Sequence, residues 1–525
     1  MSQSNQLNSI NPATGDIIDS VARSTQQDVI HAVQTARDLF PDWRRTSVRQ
    51  RQQILAASRE LLLQRRDEFA ELITAEMGRP ITESLALEVQ ASLELIGYYA
   101  GHARKMLRPE RLQLHNLFFA RRRSLDIKKP LGVIGVISPW NWPLLIPLGC
   151  IVPALLAGNC VIHKHSEHTP LINQALHKLF RDAGLPPDVF QIAHGAGETG
   201  QALIDAQVDK LFFTGSTRIG SHVMRECSKH LIPVVLELGG QDAALVCADA
   251  DLETASSGLV WGAFMNAGQN CNGVERIYVH RSAADEFVQR FVAKTKQLRI
   301  GDPMNPDVDM GPLALEQEFG KMQMLLKIAE DQGTIIRCGE HQQQDGHYFA
   351  PAVVVTEIDH PNIWADEVFG PLVSVTPVTD MAKAVQLAND NAFGLTASVW
   401  TRRPKAGETL AAQLETGTVM INDCIVSFGF PEAPWTGLKN SGIGWMHGKK
   451  GFEEMLSIQY INVDRQFRRQ KFWWFPYGER MLDSMRAGLT FLHSRNRLNK
   501  IKVSAKVIAR FWRELLLNRR TADKL

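Results

Sequence analysis

Cys271 is the residue of this 525-residue chain that is best placed for covalent chemistry. Glycines at positions 268 and 273 flank it, and a thiol between such small residues lies on backbone that a substrate can approach closely. A second stretch, Glu237-Leu-Gly-Gly240, places a carboxylate at a predicted strand end before two glycines. A thiol and a nearby base are the minimum set for nucleophilic catalysis. Because a single cysteine is more often a small buried hydrophobe, this assignment depends on residues elsewhere in the chain.

Composition and length limit the class of protein. A chain of 525 residues with 44% hydrophobic and 22% charged residues predicts a globular protein of two or three domains. Its seven cysteines are scattered and include no C-x-x-C pair, which favours a reducing compartment over a disulfide framework or a zinc knuckle. The polar N-terminus does not have the pattern of a signal peptide. We therefore expect a cytoplasmic protein.

The C-terminal region differs from the rest of the chain in charge. Residues 465–525 contain 16 Lys/Arg and 4 Asp/Glu, a net charge of +12, whereas residues 1–464 contain 42 basic and 52 acidic residues. Residues 468–477 combine arginines with aromatic residues, as at a bilayer interface. Residues 480–492 and 501–517 have the spacing of basic amphipathic helices, and neither is long and apolar enough to span a bilayer.

Three partners suit this C-terminal region. For residues 466–525 we predict peripheral binding to an anionic membrane surface, because basic amphipathic helices can lie on anionic lipid. Packing on the protein itself or on a partner subunit is the alternative. Nucleic-acid binding ranks below both.

The hydropathy pattern predicts an α/β fold. Residues 26–105 have apolar residues at three- and four-residue spacing, which predicts helices, and residues 117–127 predict an exposed strand. Residues 130–162 lack charged side chains, but their five prolines favour a buried strand, turn and helix over a membrane span. Short apolar strands then alternate with helical segments, as in a parallel sheet. These strands are predicted at 132–137, 160–163, 189–192, 210–213, 234–237 and 243–246.

Polar residues that follow two of these strands are candidates for nucleotide binding. Lys164 and Glu167 follow strand 160–163, and ligands bind at the carboxyl ends of strands in open α/β sheets. A carboxylate there can accept a hydrogen bond from a ribose hydroxyl and would repel a 2′-phosphate. Ser216 follows strand 210–213, in a turn whose helix-start amides can receive a pyrophosphate.

Two other patterns carry less weight. Residues 195–200 match GxGxxG, but the acidic residue expected about twenty positions later is missing, so a plain strand-to-helix turn is favoured. His163, His165 and His168 lie close together in the sequence, with Lys164 between the first two. We expect no metal site there, because metal ligands must converge on one point.

Taken together and in order, six motifs resemble the aldehyde dehydrogenase superfamily over about residues 8–465. They are Pro139-Trp-Asn-Trp-Pro143, Lys164-His-Ser-Glu167, Phe213-Thr-Gly-Ser-Thr217, Glu237-Leu-Gly-Gly240, Gly268-Gln-Asn-Cys271 with Arg276, and Glu367-Val-Phe-Gly-Pro371. The resemblance implies that Cys271 is the nucleophile and that Glu237 activates the water that deacylates it. Asn141 would join the Cys271 backbone N–H in an oxyanion hole, where one uncharged donor can be worth about 3 kcal/mol.

The resemblance also implies a dinucleotide site. Its residues would be Trp140, Lys164, Ser166, Glu167, Gly215, Ser216, Glu367 and Phe369. Lys164 and Glu167 would hold the adenosine ribose, Ser216 would meet the pyrophosphate, and Glu367 and Phe369 would contact the nicotinamide ribose and ring. Glu167 favours NAD+, with NADP+ as the alternative, because His165 stands where the family often has proline. No metal is implied.

The domain organisation follows from the same resemblance. An NAD(P)-binding, Rossmann-type domain would comprise residues 1–115 and 131–238, and a catalytic domain residues 239–440. Residues 116–130 and 441–465 would form oligomerisation or bridging segments, followed by the basic extension 466–525. In the family the strand extension adds to a neighbouring subunit's sheet, so a homodimer or homotetramer is expected.

The implied reaction oxidises an aldehyde to a carboxylic acid through a thiohemiacetal and a thioester on Cys271. The base Glu237 favours a free acid over a CoA thioester, because the thioester then needs water. Hydrophobic or aromatic aldehydes are expected, because five aromatic residues are predicted to line the substrate funnel: Trp140, Trp142, Phe264, Phe428 and Trp435.

Several alternatives remain open at this point. A CoA-acylating or semialdehyde dehydrogenase would use the same thiol. A cofactor-independent cysteine esterase would leave Lys164, Glu367 and Phe369 unexplained, and NADH formation distinguishes it from a dehydrogenase. A non-catalytic scaffold bound to a membrane through residues 466–525 would leave Cys271, Glu237 and Asn141 unexplained.

Overall fold

The computed structural model describes residues 6–115, 119, 122–330, 334–338, 346–357, 363–464, 474–495 and 509. The chain divides into two compact units, Met1–Leu107 with Lys129–Ser457, and Arg108–Lys128 with Ile458–Leu525. The helices are α1 (Gln26–Trp43), α2 (Val48–Gln64), α3 (Arg66–Met77), α4 (Ile81–Glu83), α5 (Gln90–Met106), α6 (Leu145–Ala157), α7 (Pro170–Asp182), α8 (Gly197–Asp205), α9 (Thr217–Ser228), α10 (Leu252–Phe264), α11 (Arg281–Thr295), α12 (Glu316–Glu330), α13 (Met381–Asn389), α14 (Pro404–Ala411), α15 (Gly448–Glu453) and α16 (Glu479–His493). The strands are β1 (Gln6–Ile10), β2 (Ile17–Ala22), β3 (Glu110–Leu112), β4 (Arg123–Pro130), β5 (Val133–Ile137), β6 (Cys160–Lys164), β7 (Phe190–Ala193), β8 (Lys210–Thr214), β9 (Val234–Glu237), β10 (Asp242–Val246), β11 (Val274–His280), β12 (Thr334–Arg337), β13 (Ala352–Val355), β14 (Leu372–Val378), β15 (Phe393–Gly394), β16 (Thr396–Trp400), β17 (Thr418–Ile421), β18 (Leu438–Lys439), β19 (Gly442–Ile443) and β20 (Leu456–Val463).

The N-terminal helices confirm the prediction for residues 26–105. Capping boxes begin α1 and α2, with Thr25 paired to Asp28 and Ser47 paired to Gln50. Each box satisfies backbone N–H groups that the first helical turn leaves unpaired. A π-helical turn, Ser84–Val89, joins α4 to α5. Such turns are rare and often lie at functional sites.

The first unit contains a six-stranded sheet of order β19-β9-β8-β5-β6-β7. Strands β5 to β9 are parallel to their neighbours, and β19 pairs antiparallel with β9. The parallel strands are largely buried, which explains why they consist of nearly continuous apolar residues. All of their carboxyl ends lie at one edge of the sheet, where the candidate ligand-binding residues are found.

A seven-stranded sheet in the same unit has the order β12-β13-β14-β11-β10-β16-β17. Its strands are parallel except that β12 runs antiparallel to β13. Cys271 lies shortly before β11, which is central in this sheet. The two sheets confirm the α/β prediction. The predicted boundaries between cofactor and catalytic domains fall within the first unit and stay a prediction.

Residues 130–162 form the buried strand β5 and the buried helix α6, as predicted, and not the membrane span that hydropathy alone would suggest. All thirteen residues of α6 are buried, and the helix packs against α2 and α5. Gly158 ends it in the left-handed region, at φ 99°. Among the described residues, no helix has the length and apolar character needed to cross a bilayer.

The second unit contains the three-stranded sheet of order β20-β4-β3. The exposed strand predicted at 117–127 begins at Arg123, and residues 117, 118, 120 and 121 lie outside the described part of the chain. β20 and β4 are neighbours, as the resemblance implied for the strand extension. Helix α16 confirms the helical pattern of residues 480–492, whereas residues 501–508 and 510–517 are not described.

Candidate active site

One cavity of about 690 Å³ brings together most of the residues predicted to do chemistry. The predicted site residues that line it are Trp140, Asn141, Gly215, Ser216, Glu237, Cys271, Glu367 and Phe369. They come from five separate parts of the chain, which only the fold places side by side. Their roles in binding and catalysis stay predictions, but their proximity is a feature of the structure.

Parallel strands carry several of these residues to one edge of the six-stranded sheet. In the register, Ile137 lies beside Phe213, and Thr214 lies beside Glu237. Neighbouring strands are about 4.8 Å apart. The loop 138–143 after β5, the turn 215–216 after β8, and Glu237 at the end of β9 are therefore adjacent.

The loop that leads to Cys271 has a strained backbone. Asn266 and Ala267 have positive φ angles, 54° and 53°, which side chains other than glycine rarely adopt. Hydrogen bonds hold this loop: Asn266 N donates to Glu83 Oε2 at 3.0 Å, and Asn270 Nδ2 donates to Met265 O at 2.8 Å. The Cys271 thiol is thus presented by a backbone that its neighbours fix in one conformation.

Asn141 is fixed against this loop. Its Nδ2 donates to Gln269 O at 3.0 Å, and Asn141 is 3% exposed. An amide nitrogen carries two hydrogens, so this bond uses one of them. The backbone carbonyl of Asn141 accepts from the guanidinium of Arg79. The amide therefore has a fixed orientation, as an oxyanion-hole donor requires.

A buried ion pair holds the Asn141 loop, because its arginine, Arg79, donates to the Asn141 carbonyl. Arg79 pairs with Glu88 in the π-helical turn, and both side chains are fully buried. Glu88 Oε1 also accepts from the backbone N of Leu144 at 2.7 Å and of Leu145 at 3.1 Å, at the start of α6. Breaking a buried pair by removing one partner costs about 3–5 kcal/mol, so this support is rigid.

Two glycines allow the close approach of the chain segments that carry the site. A Cβ on Gly239 would lie 2.4 Å from Glu367 Oε2, and a Cβ on Gly240 would lie 2.3 Å from Cys271 O. Both distances are far below van der Waals contact. This explains the glycine pair that follows Glu237.

Glu275 holds the loop that carries Glu367 and Phe369. Its Oε1 accepts from Val368 N and from Phe369 N, each at 2.9 Å. Phe369 has a positive φ of 53°, a conformation that the two bonds help to fix. Arg276 is buried and donates to Gln241 O at 2.9 Å. Glu275 and Arg276, four and five residues after Cys271, thus hold other segments of the site in place.

The electrostatics of the cavity favour protonated groups. Burial, together with the carboxylates of Glu367 and Glu237, raises the pKa of the Cys271 thiol well above its usual value. Burial raises the pKa of Glu237 to about 8, against a hydrogen bond from Trp435 Nε1 at 2.7 Å that lowers it. Burial and Glu275 raise the pKa of Glu367 well above its usual value.

Lys164, Ser166 and Glu167 lie at the end of the neighbouring strand β6 and do not line this cavity. Lys164 Nζ contacts Glu167 Oε2 at 3.3 Å. Burial lowers the pKa of Lys164. For Glu167, burial acts to raise the pKa, but the charge of Lys164 and hydrogen bonds together outweigh this effect, and the pKa of Glu167 is lowered. His165 Nε2 bonds His194 Nδ1 at 2.6 Å.

A second cavity, of about 780 Å³, also has Cys271 in its lining. Among the described residues that line it, none carries a charge. Its aromatic members are Trp142, Trp261, Phe428 and Phe430, and Leu87 from the π-helical turn and Ile146 from α6 are among the aliphatic ones. Such a surface suits the apolar part of a ligand.

The aromatic wall differs in part from the prediction. Trp142 and Phe428 line the apolar cavity, whereas Trp140 lines the first cavity and stacks edge-on with Phe369 at 5.6 Å between ring centres. Phe264 packs on Phe291 in the core. Trp435 contacts Glu237, because the hairpin that carries it turns back onto β9.

Other residues of the first cavity were not anticipated from the sequence. Glu318 and Lys321, one turn apart on α12, line it together with Glu367. Lys321 Nζ lies 3.9 Å from Glu318 Oε2, which accepts no hydrogen bond from the described residues. An ordinary charged helix face gives no sequence signal for such a role. Glu275 could have been found, because it lies four residues after Cys271.

Comparisons with known proteins agree with this architecture. The sequence profile of the aldehyde dehydrogenase family matches residues 1–461. The chain is 35% identical over 457 residues to the 4,4'-diapolycopene aldehyde oxidase of a Methylomonas species, which covers 86% of this chain and 84% of that protein. It is 33% identical over 476 residues to the chloroplastic betaine aldehyde dehydrogenase of Atriplex hortensis, covering 88% of this chain and 93% of that protein. The crystal structure of Mycobacterium tuberculosis aldehyde dehydrogenase complexed with NAD+ is 33% identical, covers 89% of this chain and 96% of that chain, and superposes with a TM-score of 0.84. This chain belongs to the aldehyde dehydrogenase family.

Proposed function

We propose that this protein oxidises an aldehyde to the carboxylic acid with NAD+, using Cys271 as the nucleophile. The observation that carries this proposal is that Cys271 lines both cavities, the polar one and the apolar one. A thiol at this junction has access to an aldehyde on one side and to a hydride acceptor on the other. An ester hydrolase needs no second cavity of this kind.

The geometry supports a definite sequence of steps. The Cys271 thiol gives up its proton to solvent, the thiolate Sγ adds to the aldehyde carbon, and the resulting oxyanion accepts hydrogen bonds from Asn141 Nδ2 and the Cys271 backbone N–H. A dinucleotide held in the first cavity would supply the acceptor for the hydride that the tetrahedral adduct loses as it becomes a thioester. Glu237 then takes a proton from water, the water oxygen attacks the thioester carbon, and the acid leaves as the thiol re-forms.

The first cavity suits the nicotinamide and pyrophosphate parts of a dinucleotide. Glu318 Oε2 and Glu237 Oε1 are buried oxygens without a hydrogen-bond donor among the described residues. Ser216 caps α9, and its helix-start amides suit a pyrophosphate. We assign the nicotinamide ribose to Glu367, the nicotinamide ring to Phe369, and the adenosine ribose to Lys164 and Glu167.

NAD+ is the cofactor that this ribose site favours. The carboxylate of Glu167 is one-third exposed and paired with Lys164. It can accept from ribose hydroxyls, whereas a 2′-phosphate would place like charges together. NADP+ is the alternative, and one relative, a putative succinate-semialdehyde dehydrogenase of Mycolicibacterium smegmatis, is named for NADP+.

We propose an uncharged, hydrophobic aldehyde as the substrate. The apolar cavity has no charged lining residue among those described, so a substrate carboxylate would be desolvated there without a partner. The relative named 4,4'-diapolycopene aldehyde oxidase supports an apolar substrate. An aldehyde with a quaternary ammonium group is the second candidate, because Trp142, Trp261, Phe428 and Phe430 offer aromatic faces to a cation.

An aldehyde panel tests this proposal. We expect kcat/KM to rise about fourfold for each added methylene from propanal to decanal, since burial of one methylene is worth about 0.8 kcal/mol. Succinate semialdehyde should be a poor substrate, and betaine aldehyde should be preferred if the second candidate is right. NADH formation from each aldehyde, with NAD+ and NADP+ in parallel, is the measurement.

A variant of the cavity wall sharpens this test. Leu87→Asp places a carboxylate in the lining and should lower kcat/KM for decanal by tenfold or more, because Leu87 is half-buried and a charge desolvated there has no partner among the lining residues. Leu63→Asp is the matched control, since Leu63 is exposed on α2. A chain-length series without slope, or equal effects of the two variants, would contradict an apolar substrate site.

We further propose that the protein forms a homodimer or homotetramer and associates peripherally with anionic membranes. The apolar side chains of Ile458 and Tyr460 on β20 are 61% and 51% exposed, as suits a strand that meets a partner. In the C-terminal region, Phe475 and Tyr477 are 77% and 61% exposed, and their tilted rings have 4.6 Å between their centres. Aromatic residues beside basic ones suit a lipid interface.

Deletion of residues 466–525 should abolish co-flotation of the protein with vesicles of phosphatidylcholine and phosphatidylserine. The deleted segment contains 15 Lys/Arg and 4 Asp/Glu, a net charge of +11, and each basic residue near an anionic surface contributes about 1 kcal/mol. The full chain should float with these vesicles and sediment with phosphatidylcholine alone. Equal flotation of the full and shortened chains would contradict membrane binding by this segment.

A further inference from the structure

The side chain of Trp435 makes the one hydrogen bond to the Glu237 carboxylate that the described residues supply. Trp435 Nε1 donates to Glu237 Oε2 at 2.7 Å, and the two residues are 3% and 4% exposed. Oε1, the second oxygen, has no donor among the described residues. One oxygen is thus held by an indole, and the other is left for water or a proton.

The hairpin of residues 435–446 fixes this contact twice. Trp435 exchanges two backbone hydrogen bonds with Met446, Trp435 N to Met446 O at 2.7 Å and Met446 N to Trp435 O at 2.8 Å. The same hairpin includes β19, in which Gly442 pairs with Glu237 itself. These backbone hydrogen bonds therefore fix the position of the Trp435 indole relative to the backbone of Glu237.

Packing restricts the indole ring further. Phe428 meets it at right angles, with 5.0 Å between the ring centres. Phe428 also lines the apolar cavity, whereas Trp435 lines neither of the two cavities. The position of Trp435 thus suits contact with the base better than contact with substrate.

The other groups near Glu237 do not favour its ionised form. Cys271 and, on α6, Cys150 are thiols whose pKa values the charge of Glu237 raises, and Glu367 in the same cavity is a carboxylate. Burial raises the pKa of Glu237 to about 8, and the bond from Trp435 acts against this rise. A hydrogen bond to a charged acceptor is about twice as strong as a neutral one.

We propose that Trp435 is a positioning residue that orients Glu237 and supports its ionised form during hydrolysis of the thioester. This inference rests on the proposed role of Glu237 as the base. Without the indole N–H, the carboxylate would keep its proton to higher pH and would lose its fixed orientation. The hydride step does not require the ionised base in this way.

Trp435→Phe tests the proposal, because phenylalanine keeps an aromatic ring against Phe428 and removes the donor. For wild type and variant, two quantities are measured at a series of pH values: the NADH formed in the first turnover (the burst) and the steady rate of NADH formation. We expect an unchanged burst, a roughly tenfold lower steady rate at neutral pH, and a midpoint of the steady rate about one pH unit higher. Trp400→Phe is the matched control, since Trp400 is a buried tryptophan whose Nε1 donates to Ser398 Oγ at 3.1 Å.

The outcomes separate this inference from the one on which it rests. If Glu237→Gln turns over like the wild type, the role of Glu237 and the role of Trp435 are both overturned. If Glu237→Gln stalls but Trp435→Phe keeps the wild-type midpoint, only the role of Trp435 is overturned. Benzothienylalanine at position 435 replaces the indole N–H by sulfur at nearly the same shape. It must reproduce the shift in the pH midpoint of the steady rate. This variant serves as the test if the Trp435→Phe protein fails to fold.

Discussion

Replacing Cys271 by serine should abolish aldehyde-dependent NADH formation, with kcat lowered by about four orders of magnitude or more. A serine hydroxyl is a poor nucleophile unless a base activates it, whereas the thiol is intrinsically strong. The substitution exchanges sulfur for oxygen and leaves the bonds of the loop, such as that from Asn270 Nδ2 to Met265 O, in place. Absorbance of NADH with saturating aldehyde and NAD+ is the measurement.

Two controls make this result specific. Cys247→Ser changes a buried free cysteine at the end of β10 and should keep most of the turnover. NAD+ should still quench the tryptophan fluorescence of Cys271→Ser, which would show that the first cavity is intact. Undiminished turnover in the purified Cys271→Ser protein would refute the assignment of the nucleophile.

Glu237→Gln should form about one equivalent of NADH per active site and then stall as an acyl-enzyme. Glutamine cannot take a proton from water, and loss of a general base costs about two to four orders of magnitude. The amide oxygen of glutamine can still accept the bond from Trp435 Nε1, so the shape of the site is kept. Intact-protein mass spectrometry should show the mass of the acyl group on Cys271.

The wild type provides the companion pH test. Because burial raises the pKa of Glu237 to about 8, the ionised base becomes populated only as the pH rises through that value. The steady rate should therefore be half-maximal near pH 8, approach its maximum about one pH unit higher, and fall as the medium becomes more acidic. Steady turnover in Glu237→Gln at the wild-type rate, or a flat pH profile in the wild type, would contradict this role.

The sequence was most informative where function depends on a strand end. The strands β5, β8 and β9 could be predicted from short apolar runs, and parallel strands necessarily bring the residues after their carboxyl ends to one edge of the sheet. Asn141 and Glu237 therefore line one cavity as expected. Lys164 and Glu167 lie at the end of the next strand, β6, and their role in binding the cofactor stays a prediction.

Contacts between distant segments could not be predicted in the same way. Trp435 and Glu237 are separated by 198 residues, and the aromatic ring of Trp435 indicated a cavity wall. The hairpin that returns to β9 decides instead that its N–H meets a carboxylate. Arg79, 62 residues before Asn141, likewise gives no local sign that it supports that loop. Periodicity reports which face is buried, but it does not report which partner lies opposite.

The complete burial of helix α6 has a consequence for biosynthesis. Leu145–Ala157 carries no charged residue, so before its cover forms it would be one of the stretches most prone to aggregate. Two helices that cover it, α2 and α5, precede it in the chain, and a protein is made from its N-terminus. The ribosome has therefore already released two of the apolar surfaces that receive α6 when this helix emerges. The order of elements along the chain thus helps to protect the helix that follows the Asn141 loop during synthesis.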